Sequence, residues 1–154
     1  MATEYSLSSD ADLATGELLA FFAAAIGGRV DDDGEAVIGD GMTIWADLAD
    51  EDDADVMKRL FGFEERIAAT FRFHNLAGPE TIEHSTALMV ATVLALTERY
   101  TGNGVLLYNS EVAVIRWSPD EVVFHEAWDA WTRYAEVTPL LVGHPVRSLP
   151  QPLL

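Results

Sequence analysis

The spacing of hydrophobic and polar positions changes several times along the chain, and each change marks an element. Tyr5 and Leu7 alternate with Ser6 and Ser8 across Glu4–Ser8, the period of a half-buried strand. The run LLAFFAAAI, from Leu18 to Ile26, predicts an apolar helix. Thr15 stands where an N-cap is needed, and Glu17 falls in the first turn, where a carboxylate suits the helix dipole. Gly27-Gly28 supplies a left-handed stop. Glu35–Ile38 and Met42–Ala46 then flank Gly39-Asp40-Gly41, which predicts a hairpin. Val56, Met57, Leu60 and Phe61 are spaced as one face of a short helix. Ile67, Ala69, Phe71 and Phe73 alternate with Ala68, Thr70, Arg72 and His74, a strand with one apolar face.

In the second half, Pro79 is placed for the first turn of a helix running from Glu80 to about Tyr100. Its middle, TALMVATVLAL, is apolar on nearly every side and demands burial against a sheet. Three strands are predicted next, Val105–Tyr108, Glu111–Trp117 and Glu121–His125, with turns at Asn109-Ser110 and Ser118-Pro119-Asp120. From about residue 132 to 154 the chain reads as an irregular C-terminal tail. This order of elements predicts a single α+β domain over residues 1–154. Its sheet is antiparallel or mixed, with two main helices packed on one face.

Charge adds what periodicity does not. The 154 residues carry 26 Asp and Glu against 9 Lys and Arg, a formal net charge of −17. Of those acids 17 lie in residues 1–65, opposed there only by Arg29, Lys58 and Arg59. They concentrate in Asp31-Asp32-Asp33, in Asp50-Glu51-Asp52-Asp53 and at Asp55. Such a field repels nucleic acid and anionic membranes and attracts basic surfaces. The bland explanation is a surface kept soluble by self-repulsion or adapted to salt. That should be acidic all over, and the asymmetry counts against it. The second run, just before Val56, also has a structural reason to exist, because it predicts carboxylates at a helix N-terminus.

Candidate chemistry is thin. With no cysteine there are no disulfides, thiolate metal sites or cysteine nucleophile. His125-Glu126-Ala127-Trp128-Asp129 begins like H-E-x-x-H, but Asp129 replaces the second imidazole and a strand is ending there. In Asp31–Glu35, placing Gly34 at position 6 of a calcium loop puts Arg29 where a carboxylate is required. No G-x-S-x-G surrounds any serine, and no phosphate-cradling loop follows a strand. The expectation is no catalytic residues, no metal and no cofactor. MATEYSLSSD has neither a basic n-region nor an apolar h-region, and the longest apolar stretch, Ala87–Leu96, is too short to span a bilayer. A cytoplasmic protein is expected.

The segments YSLSSDADLATGELLAFF, GDGMTIWA, FGFEERIAATFRF and GVLLYNSEVAVIRW resemble a family of small bacterial proteins. It is named after the immunity proteins of the myxobacterial swarming-inhibition toxin system. The resemblance extends to about Trp128 and rests on strand and turn patterns. Where the family often has Ser-Pro-Glu-Glu at the first helix and Asn-Gly in the late turn, this chain has Thr15-Gly16-Glu17-Leu18 and Asn109-Ser110. The resemblance implies an inhibitor that acts by tight binding to a cognate toxin domain, without catalysis or cofactor. It supplies no catalytic residues to carry over.

Together these readings predict a partner-binding surface of Asp31, Asp32, Asp33, Trp45, Asp50, Glu51, Asp52, Asp53 and Asp55, facing a basic toxin domain such as a nuclease. Trp45 is included because it sits between the two acidic runs and tryptophan dominates binding hot spots. The residues leave two other readings open. One is a structural or regulatory binding module, including a homodimer. The other is a small enzyme or ligand-binding protein with a cavity under the late sheet.

Overall fold

The structure, a computed structural model, describes residues 3–49, 51–74 and 78–152. The chain runs through β1 (Glu4–Ser9), α1 (Thr15–Ile26), β2 (Arg29–Val30), β3 (Ala36–Ile38), β4 (Met42–Leu48), α2 (Glu51–Phe61) and β5 (Ile67–Phe73). It continues through α3 (Pro79–Arg99), β6 (Gly104–Tyr108), β7 (Val112–Trp117), β8 (Val122–His125), α4 (Ala130–Arg133), a 3-10 turn (Thr138–Leu141) and β9 (Val146–Arg147). All nine strands join one sheet in the order β2-β3-β4-β5-β1-β6-β7-β8-β9. Every pairing is antiparallel except that of β8 with β9, so the sheet is mixed and the domain is α+β.

The period-two strands place their apolar sets on one inner face. Tyr5 and Leu7, Met42, Ile44 and Ala46, and Ile67, Ala69, Phe71 and Phe73 all join the main core. There α1 delivers Leu18, Leu19 and Phe22, and α3 delivers Met89, Val90, Val93 and Leu96. Phe22 meets Phe71 edge-on, with ring centroids 5.5 Å apart. The two long helices thus share the inner face, as the sequence predicts.

Helix ends follow the punctuation with one shift. Gly27, at φ 66°, is the left-handed cap of α1, and Pro79 opens α3 after Gly78. At the start of α1 the cap position is Ala14, with no side-chain cap bond, whereas the sequence points to Thr15. Ala14 has extended backbone and its carbonyl already accepts the Leu18 N–H at 3.0 Å, which makes Thr15 the first helical residue.

Where β6 meets β7 the register slips between Leu106 and Leu107, leaving Val114 as the extra residue of a bulge. The freed Val114 carbonyl accepts the indole N–H of buried Trp131 at 3.2 Å, which ties α4 to the sheet. The turn between these strands is Asn109-Ser110, with φ of 48° and 60°, the double left-handed geometry of a tight hairpin.

On the outer face the sheet is only partly roofed. Phe61, Met57 and Leu60 of α2, with Phe63, pack on Val105 and Leu107 of β6 and Ala113 of β7. The Arg116 guanidinium donates to the Phe61 carbonyl at 2.8 Å and lies over its ring. The C-terminal segment completes the cover. Gln151 makes both a donated and an accepted bond with the Ala113 backbone, and the Leu149 N–H donates to His125 Nδ1 at 3.1 Å.

Candidate functional site

Strand direction decides where the acidic runs end up. β3 and β4 are antiparallel, with Ala36 opposite Trp45, and β2 pairs β3 from the other side. The β2–β3 turn, residues 31–35, therefore stands at the end of the sheet where β4 finishes at Leu48 and α2 begins at Glu51. Two acidic segments apart in sequence are brought to one end of one sheet. The carboxylates of α2 occupy its first turns, where the helix dipole and free amides favour them.

The predicted residues do not all serve alike. Asp32, Asp33, Glu51, Asp52 and Asp55 are exposed. Asp31 is committed to its own turn. Its Oδ1 accepts the Glu35 N–H at 2.9 Å and the Ala36 N–H at 3.2 Å. Those bonds, Glu35 first, hold its carboxyl below the usual carboxylate range. Asp53 lies within α2, but its side chain is outside the described set, and Asp50 lies outside the described residues altogether.

Among the described residues no ion pair uses Asp32, Asp33, Asp47, Glu51, Asp52 or Asp55. Of the nearby cations, Lys58 is drawn to Glu64 at 3.4 Å and Arg66 to Asp12 at 3.7 Å, while Arg29 adds a smaller favourable charge to Asp31. The carboxylates therefore reinforce one another's potential, an arrangement that raises encounter rates with a basic surface.

Of the four tryptophans, Trp117 and Trp131 are buried, and Trp128 packs against Tyr108 with centroids 4.7 Å apart. Trp45 belongs to neither core cluster and is 38% exposed on the outer face. Its cross-strand neighbours are Ala36 and Thr70. Sequence reasoning missed Asp47, Thr43 and Ile38, which share that face. The signal was present, since Thr43, Trp45 and Asp47 are spaced two apart on one strand.

The cavities are modest. A cleft of about 290 Å³ lies under the late sheet between Phe61, Arg116, Glu121 and Arg147. Arg147 pairs with Glu121, and Arg116 is held by Phe61. A cleft of about 470 Å³ near the β3–β4 turn is lined by Asp40, Glu80, His84 and Ser85. Neither is lined by a buried carboxylate or histidine. Among the described residues there is no group of three or more His, Asp or Glu disposed to hold a metal ion. No described helix is long and apolar enough to cross a membrane.

The domain is thus a continuous sheet backed by two helices, roofed on half its outer face and acidic at one end. The chain belongs to the SitI3-like family, whose model matches residues 3–135. Neither the curated proteins nor the solved structures provide a match.

Proposed function

We propose that this chain is an immunity protein that binds a cognate toxin domain one-to-one and neutralises it in the cytoplasm, without catalysis or cofactor. Membership of the SitI3-like family carries this reading, because the family suggests an immunity role in a toxin–immunity system. The contact surface comprises Asp32, Asp33, Trp45, Asp50, Glu51, Asp52, Asp53 and Asp55, with Asp31 setting the turn that presents its neighbours. A basic toxin face, such as the phosphate-binding surface of a nuclease, is the complementary partner. Acids on the rim steer the encounter and sit where phosphates would. The test is co-expression with the toxin domain encoded beside this gene. The reading predicts cell survival and a stoichiometric complex that weakens as salt rises. A folded, active toxin that neither binds this protein at low salt nor loses its toxicity would refute it.

A further inference from the structure

The outer sheet face holds a second feature that the acidity alone does not explain. Over β6 and β7 this face is apolar and covered by α2 and the C-terminal segment. Over β4 and β5 it carries Thr43, Trp45, Ala68, Thr70 and Arg72, the last opposite Thr43 and ion-paired with Glu4, and Ile38 of β3 continues it at 36% exposure. Of these, Ile38, Trp45 and Ala68 join neither core cluster. A tryptophan in such a place contributes little to folding, yet its flat indole is the largest apolar surface on a face that also carries threonines, Ala68, Ile38 and, at the end away from Asp47, Arg72. Asp47, two residues along β4, stands on the same face at the acidic end.

We propose that the toxin docks flat on this open half of the sheet, with Trp45 at the centre of the contact and a cationic side chain of the toxin, arginine foremost, stacked on the indole. The proposal deepens the immunity reading and rests on it. Charge complementarity chooses the occupant. Among the described residues, Asp32, Asp33, Asp47, Glu51, Asp52 and Asp55 make no ion pair, so a basic protein surface gains the steering field and the stacking platform together. An arginine over an indole is better matched than a lysine, because its planar guanidinium stacks and is more weakly hydrated. Thr70, opposite Trp45, lets the partner's backbone come close beside the indole, and Arg72, at the end of the face away from Asp47, is engaged by Glu4.

The experiment compares binding of the toxin domain encoded beside this gene to the wild-type protein and to the Trp45→Ala, Thr70→Lys and Val142→Ser variants, by surface kinetics. Circular dichroism and thermal melts verify folding. Trp45→Ala should weaken the complex about 30-fold, mainly through faster dissociation. Thr70→Lys, which places bulk and positive charge opposite Trp45, should weaken it at least as much. Val142→Ser changes an exposed residue beyond the sheet, 81% accessible, and should leave binding unchanged. Wild-type binding with unaltered affinity in folded Trp45→Ala and Thr70→Lys would overturn the docking face while sparing the immunity reading. Absence of wild-type binding would remove the reading and the proposal with it. If sedimentation showed a homodimer dissolved by Trp45→Ala while toxin binding persisted, the face would belong to a second copy and the proposal would fall.

Discussion

On the outer side of the sheet, β6 and β7 present Val105, Leu107 and Ala113 under a roof of α2, whereas β4 and β5 turn Thr43, Trp45, Ala68, Thr70 and Arg72 toward solvent. The same strand geometry yields opposite outcomes because side-chain chemistry differs at alternate positions. Apolar residues on the first half oblige the chain to supply a cover, and the stripe of Met57, Leu60 and Phe61 does so. Small, hydroxylated and charged residues on the second half, Arg72 and Asp47 among them, tolerate water without one. Trp45 departs from that pattern. Likewise, among the described residues, Asp32, Asp33, Glu51, Asp52 and Asp55 make no ion pair. The covered half is held by apolar packing, whereas the open half leaves Trp45 outside both core clusters.

That contrast can be broken by mutation. Phe61→Ala, on the covered half, should cost about 3–5 kcal/mol, the range for a buried phenylalanine in a packed cluster. Trp45→Ala should cost only about 1 kcal/mol, the scale of one cross-strand pair. Urea unfolding of both variants provides the comparison, and equal losses would erase the distinction between the halves.

A smaller effect is expected at the β6–β7 turn, which serves the covered side. Ser110 holds φ 60° without being glycine. Ser110→Gly removes that strain and should raise stability by about 1 kcal/mol in thermal melts. Toxin affinity should not change.

The smallest effect separates the acids from one another. Asp31 has a lowered pKa because it accepts the Glu35 and Ala36 amides, so its ionised form favours the folded state. Its stabilisation is full above the ordinary carboxylate range and is lost as pH falls through the lowered folded-state value. Asp31→Ala should therefore lower Tm at neutral pH, with the difference from wild type closing in strong acid. Asp33→Ala should leave Tm nearly unchanged at both. Identical pH profiles for the two variants would show that Asp31 plays no special part in its turn.

Much of the scaffold was legible in the sequence because its long elements repeat clearly. The alternations of β1 and β5, the Gly-Asp-Gly hairpin, the Gly27 stop and the Pro79 start each carry a local signal that packing reinforced. The two-residue strands β2 and β9 and the four-residue α4 carry none, since they are too short for a period and exist through their partners. In the candidate surface, exposure of Trp45 was hinted at by its place between acidic runs. The placement of the β2–β3 turn and the start of α2 at the same end of the sheet was not, because it depends on strand direction and order. Nor could composition distinguish Asp31, which braces a turn, from Asp32 and Asp33, which face solvent.

Steering of a basic toxin by the acids at one end of the sheet has a direct kinetic signature. The measurement is the association rate constant with the toxin domain encoded beside this gene, from low to high salt. It compares the wild type with a variant carrying Asp32→Asn, Asp33→Asn, Glu51→Gln, Asp52→Asn and Asp55→Asn. Steering requires a wild-type rate that falls steeply with salt, a variant rate at least about tenfold lower at low salt, and convergence of the two at high salt. Equal rates with the same salt slope would contradict it.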